Sequence, residues 1–262
     1  MPAAIWSGAL SFGLINVPVK IVSAVREKDV KFHQVHIPDG GRIRYKRVCE
    51  VDGEEVKPED IGKASDEGGA AVLVTTEELD AIASDKTDLL EITDFVKLAD
   101  VDPIWFEKAY YLVPGKGGDK AYKLLADAMT SQERAAVARV VLRGKERLAL
   151  VRPMGGALAL EMLNWSDEVT MPEDLGTLPK DVKVGAREKD MAEQLIEQLS
   201  TDFDPTKYKD EHRERVLDLL QTKREGGILM PVPKQKRETT VDLADALRAS
   251  LDAARAGKKT HA

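Results

Sequence analysis

From Ile5 to Val22 the chain reads IWSGALSFGLINVPVKIV, and it alternates as strands do rather than winding like a helix. Val17, Val19 and Ile21 fall on one face, and Pro18, Lys20 and Val22 on the other. A period of two commits this end of the chain to a sheet with a buried side. The segment that follows, to Glu50, ends in a basic run of Arg42, Arg44, Lys46 and Arg47 with no acid among them. On a strand Arg42, Arg44 and Lys46 would point one way, roughly 6–7 Å apart, with Ile43 and Tyr45 behind them. A row of cations backed by apolar residues suits a surface that tracks a phosphate backbone. A solvated strand face has the same pattern.

The rest of the chain divides by its turn and cap signals. Pro38-Asp39-Gly40-Gly41 marks a turn inside the strand-rich stretch 3–49. Thr75 followed by Glu78 fits a capping box opening a short helix through about Ala83. Tyr122, Leu125 and Met129 have helical spacing over Asp119–Met129. Residues 137–163 read as a β-meander, with Val137–Leu142 paired to Leu148–Val151 around Gly144-Lys145, and Pro153-Met154-Gly155-Gly156 turning into Ala157–Leu163.

Beyond Glu188 the period becomes helical. Met191, Leu195 and Leu199 share a face, and a second helix runs from about Lys209 to Arg224, ended by Gly226-Gly227. Residues 228–239, with Pro231 and Pro233, read as a linker. A last helix, about Thr240 to Ala256, carries Leu243, Leu247 and Leu251 four apart. So narrow a stripe must dock on something, either its own domain or a partner's groove.

Charge and composition exclude several function classes. No apolar run approaches the length of a bilayer span, and MPAAIWSG has neither the charged region nor the apolar core of a secretion signal. The single cysteine, Cys49, permits no intrachain disulfide and fits a reducing cytoplasm. The net charge of −7 opposes nucleic-acid binding only at first sight. Residues 50–102 hold 17 acids and four bases (Lys57, Lys63, Lys86, Lys97), so the remainder is net positive. DNA responds to local potential within a Debye length of about 8–10 Å, not to the total.

A second basic cluster, Arg139, Arg143, Lys145, Arg147 and Arg152, surrounds the meander turn with Glu146 as its only acid. Arg139 and Arg143 would share a strand face, with Lys145 at the tip. Without interleaved aromatics, such strands suit duplex backbone contacts better than single-strand stacking.

Enzymatic motifs are scarce. Pro114-Gly115-Lys116-Gly117-Gly118-Asp119-Lys120 lacks the Ser or Thr that a phosphate-cradling loop places after Gly-Lys. No Lys-x-Asp-Gly string provides a ligase's covalent lysine. His33, His36 and Cys49 leave a structural zinc site one ligand short, so a packed thiol and structural histidines are expected. The acids of 50–102 could hold a metal-dependent nuclease or phosphodiesterase site, but show no ligand pattern.

AIWSGALSFGLINVPVKI, KFHQVH and GRIRYKRVCE resemble the start of the bacterial Ku proteins, the DNA-end-binding factors of non-homologous end joining. LADVDPIWFEKAYYLVP, ARVVLRGKERLALVRP, MLNWSDEV and FDPTKYKDEHRERVLDLLQTKREGG continue the resemblance in the family's order. The family often has a second cysteine three residues after the first; here that position is Asp52.

The resemblance implies a mixed α/β fold centred on a β-barrel. It also implies a DNA-encircling bridge within residues 42–115 and a helical C-terminal arm. The domains would be residues 1–186 as core and bridge, 187–227 as arm, and 228–262 as linker and partner-docking helix. The barrel motifs begin at residue 4, so the extra N-terminal domain of the eukaryotic subunits is not expected. The implied function is non-enzymatic: a cytoplasmic, nucleoid-associated homodimeric ring on double-stranded DNA ends, requiring no cofactor. Its implied partner is the multifunctional ATP-dependent DNA ligase with a polymerase domain. DNA contacts would fall to Lys20, Arg42, Arg44, Lys46, Arg47, Arg139, Arg143, Lys145 and Arg147, and partner contacts to Leu243, Leu247 and Leu251. Lys-rich tails hold DNA in some members, whereas the terminal segment here has only Lys258 and Lys259.

Overall fold

In the computed structural model the described residues are 3–82, 88–179, 182–226 and 243–259. Seven strands close into a barrel. β1 (Ala4–Phe12) and β2 (Ile15–Ser23) form a hairpin through Gly13-Leu14, with Gly13 at a φ of 57°. Two short strands, β3 (Lys63–Ser65) and β4 (Val72–Val74), form a separate two-stranded antiparallel sheet. β5 (Leu89–Lys97) and β6 (Phe106–Pro114) return to the barrel, followed by β7 (Arg134–Leu142), β8 (Lys145–Met154) and β9 (Ala157–Leu163). Around the barrel the order is β1-β2-β6-β9-β8-β7-β5, antiparallel throughout except where β5 runs parallel to β1. Closure leaves the barrel itself without a free strand edge.

The alternation read from the sequence sets the inside. Val17, Val19 and Ile21 are fully buried, and Leu10, Leu112, Val140, Val151, Leu158 and Leu160 join them. Ala136, Ala138 and Ala149 supply the small side chains that so narrow an interior requires. One end is closed by helix α2 (Asp119–Ser131), which connects β6 to β7 and inserts Tyr122, Leu125 and Met129 into the core. The meander expected over 137–163 is present with its pairing. Its two tight turns are Arg143-Gly144 and Gly155-Gly156, both residues of each at positive φ.

Helix α1 (Thr76–Ile82) starts on the expected capping box. The Thr75 N–H donates to Glu78 at 2.8 Å, and the Glu78 N–H donates to the Thr75 hydroxyl at 3.2 Å. The Pro38–Gly41 turn is also present: the His36 N–H donates to the Gly41 carbonyl, and Gly40 takes a φ of 71°.

Two expectations change. The basic run at 42–47 lies on no regular strand; it is extended chain anchored by isolated bridges, Val35 to Arg42 and Val48 to Glu55. Ile43 and Tyr45, expected on the side opposite the cations, are exposed, because no second layer among the described residues covers them. Within the range 42–115 in which the bridge is expected, β5 and β6 over 89–114 belong to the barrel. The segment outside the barrel lies between Ser23 and Leu89, and none of its described residues is buried.

Two compact units emerge. The first comprises Met1–Lys28 and His33–Asp174; the second comprises Leu175–Ala262 with Asp29–Phe32. The second unit contains α3 (Ala186–Leu199), α4 (Glu211–Arg224) and α5 (Leu243–Lys259), with α5 packed on α3. Gly226, at a φ of 76°, follows α4; Gly227 and the linker 228–239 lie outside the described residues. No helix among the described residues is long and apolar enough to cross a membrane.

Candidate nucleic-acid interface

Parity along the strands positions the meander cations. In β8, Ala149 and Val151 point into the barrel, so Arg147 and Lys145, two and four residues back from Ala149, also face inward where the strand leaves the core. Arg143 occupies the turn, with a φ of 54°, rather than sharing a strand face with Arg139. Arg139 is exposed on the outer side and lies 3.5 Å from Glu146.

At the end of the barrel opposite α2, Arg143, Lys145 and Arg147 meet Lys108 and Tyr110 of β6, Trp6 of β1, Leu142 of β7 and Met162 of β9 around a cavity of about 420 Å³. Glu107, 3.6 Å from Arg147, is the only acid lining it among the described residues. Arg143, Lys145 and Lys108 have no ion-pair partner among the described residues. Sequence reasoning missed Trp6, Lys108 and Tyr110 because they reach the cluster from strands distant in sequence.

Arg152 leaves the cationic cluster altogether. Its Nε and Nη2 donate to Glu161 Oε1 at 3.0 and 2.6 Å. The Glu161 side chain is only 8% exposed and that of Arg152 is 25% exposed, so the pair is internal and neutralised.

Of the other proposed contacts, Lys20 is exposed on β2, and Arg42, Arg44, Lys46 and Arg47 are all exposed on the segment outside the barrel. Two knuckles hold that segment. In the first, Ile43 N–H donates to the Gln34 carbonyl at 3.1 Å, and the Tyr45 hydroxyl donates to the Gln34 side-chain oxygen. Asp39 accepts from Gly41 N–H and lies 2.9 Å from His36 Nδ1; these two contacts, the Gly41 bond foremost, hold its carboxyl below the usual range. In the second, Cys49 N–H donates to the Glu54 carbonyl, and Val56 N–H to the Arg47 carbonyl. Lys46 pairs with Glu55 at 2.6 Å, whereas Arg42, Arg44 and Arg47 have no ion pair among the described residues. Cys49 is half-buried and free rather than fully packed.

Apolar side chains are equally exposed here. Ile37 is 94% and Val51 95% accessible. Among the described residues no three His, Cys, Asp or Glu gather where they could hold a metal ion, so the nuclease reading of the acidic segment gains no support.

In the second unit the leucine stripe of α5 is graded. Leu243 is 64% exposed, Leu247 half-buried and Leu251 buried, 5% exposed. The stripe therefore docks in large part within its own unit, leaving Leu243 outward.

Comparison with known proteins agrees with this architecture. Residues 11–195 match the Ku70/Ku80 beta-barrel domain. The chain is 48% identical over 258 residues to a non-homologous end joining protein Ku of Anaeromyxobacter sp. (strain K), covering 97% of this chain and 87% of that one. It is 39% identical to the protein of that name from Heliobacterium modesticaldum, covering 99% and 95%. It is 38% identical to that of Mycobacterium tuberculosis (strain ATCC 25618 / H37Rv), covering 95% of each. A closed seven-stranded barrel, a long excursion between β2 and β5, and near full-length identity with these proteins place the chain in the Ku family.

Proposed function

We propose that the chain binds double-stranded DNA ends without sequence specificity, as a homodimeric ring, and serves repair by non-homologous end joining. The observation that carries this reading is the segment between Ser23 and Leu89: it has no buried described residue, yet displays arginines without an ion pair among the described residues beside exposed Ile37, Tyr45 and Val51. An unsupported arm with both apolar and cationic side chains fits two partners, a second copy of the chain and a phosphate backbone. Two such arms would close a loop that DNA enters only from a free end. Arg42, Arg44 and Arg47 carry the backbone contacts in this reading. Lys46, Lys20 and Arg139 extend them, Lys46 by exchanging Glu55 for a phosphate, and Arg143, Lys145 and Arg147 reach the phosphates at the strand end.

The chain holds DNA without turning it over and recruits the multifunctional ATP-dependent ligase through its second unit. Leu243 is the outward contact of α5, and Leu247 and Leu251 hold that helix in place. The test compares a linear duplex with a covalently closed circle of the same sequence. Binding to the linear form alone supports threading; equal affinity for both refutes it. Affinity falling steeply with salt supports phosphate tracking, because each neutralised phosphate releases counterions.

A further inference from the structure

The barrel has one end plugged by α2 and one end open, and the open end has an unusual lining. Trp6, Tyr110 and Met162 are half-buried or buried there, and Arg143, Lys145 and Lys108 stand at its rim without an ion-pair partner among the described residues. Lys145 and Arg147 occupy inward-facing positions of β8, where apolar residues would extend the core. Arg143 holds a left-handed φ of 54°, whereas the sibling turn of β8–β9 has Gly155 at the equivalent place, with a φ of 57°. A non-glycine residue in that region costs on the order of 1–3 kcal/mol, and such strain gathers at binding sites.

We propose that this mouth binds one nucleotide unit, its planar base against Trp6 and Tyr110 and its phosphate on Arg143, Lys145 and Lys108. The cavity of about 420 Å³ has the size of a small-molecule site. A bare anion would have no use for an aromatic floor, and an apolar ligand would have none for three free cations. Stacking of a base on an aromatic side chain contributes about 1–3 kcal/mol and tolerates any base. The nucleotide is either free in solution or the unpaired terminal residue of a DNA strand; the second source rests on the DNA-end reading above.

The test titrates the full chain with dAMP, deoxyadenosine and inorganic phosphate by calorimetry. The expected result is dAMP binding at least about tenfold tighter than either part, since stacking and charge-assisted contacts act together. Arg143→Gly and Lys145→Gln should each weaken dAMP by about tenfold or more. Arg143→Gly should at the same time raise the melting temperature, which a merely structural arginine would not do. Phosphate binding as tightly as dAMP, no dAMP binding at millimolar concentration, or full dAMP affinity in both variants overturns the proposal.

Competition then identifies the source. Displacement by dAMP of a duplex with a 5′-phosphorylated overhang, but not of a blunt one, assigns the strand terminus. dAMP binding without displacement assigns free nucleotide, and equal displacement of both duplexes marks a general phosphate surface and overturns the site. Equal affinity for circles and linear duplex would overturn the end-binding reading while leaving the dAMP isotherm unaffected, so the two failures are distinguishable.

Discussion

Tyr122 joins the plug helix to the barrel wall, and removing its hydroxyl should loosen both. The hydroxyl donates to the Leu112 carbonyl and accepts from the Leu158 N–H, each at 2.7 Å. Leu112 and Leu158 are the last partners of the β6–β9 ladder, both with no exposed surface. In Tyr122→Phe the ring still fills its place, but a buried donor and a buried acceptor lose their partner. Each unsatisfied group costs about 1–3 kcal/mol, and partial closure of the strands recovers some of it, so a loss of about 2–3 kcal/mol is expected. For a chain of this length that corresponds to a fall of about 5–10 °C in melting temperature.

Circular dichroism melts at neutral pH read the stability, and hydrogen exchange at the Leu158 amide reads the site. Burial raises the Tyr122 pKa above its ordinary 10.0. The neutral phenol therefore contributes its full stability below that value and loses it as pH rises through the folded pKa. The gap between wild type and Tyr122→Phe should accordingly narrow in strong alkali. A melting shift below about 1 °C with unchanged Leu158 protection would refute the reasoning, since an orphaned buried pair must lower the melting point by several degrees.

Other substitutions separate the remaining claims. Replacing Arg42, Arg44 and Arg47 together by Ala should weaken binding alike on every DNA sequence and reduce the log–log salt slope by about 0.9 per lost contact; melting should be unaffected because all three are exposed. An unchanged slope in filter binding would place these cations away from DNA. Arg152→Met should cost about 3–5 kcal/mol in urea unfolding by stranding the buried Glu161 carboxylate, and Arg152→Met with Glu161→Met should recover most of it; additive losses would mean the pair is not coupled. Leu243→Asp should lower stimulation of the partner ligase while leaving helix content intact, whereas Leu251→Asp should release α5 from α3. Undiminished ligation with Leu243→Asp would shift recruitment elsewhere in the second unit.

What was legible in the sequence depended on the range of the signal. Val17, Val19 and Ile21 reveal their face within five residues, and Thr75 and Glu78 their cap within four, because each pattern is completed locally. The basic run at 42–47 has the same local alternation, yet forms no ladder. A strand needs a neighbour as well as a pattern, and the exposed Ile43 and Tyr45 have no second layer among the described residues. The mouth of the barrel is the opposite case. Trp6, Lys108, Arg143 and Met162 come from four separate stretches, and only closure of the sheet brings them around one cavity. Hence the meander cations read as a stripe without aromatics, when the aromatics were on β1 and β6. The same closure explains why Arg152 drops out: β9 brings Glu161 against it, and a charge that counted toward a basic surface in the sequence becomes half of an internal pair. Charge in a linear count is therefore a poor guide to the potential that a ligand meets; burial and cross-strand pairing decide which cations remain available, and here they leave Arg143, Lys145 and Lys108 at the mouth and Arg42, Arg44 and Arg47 on the arm.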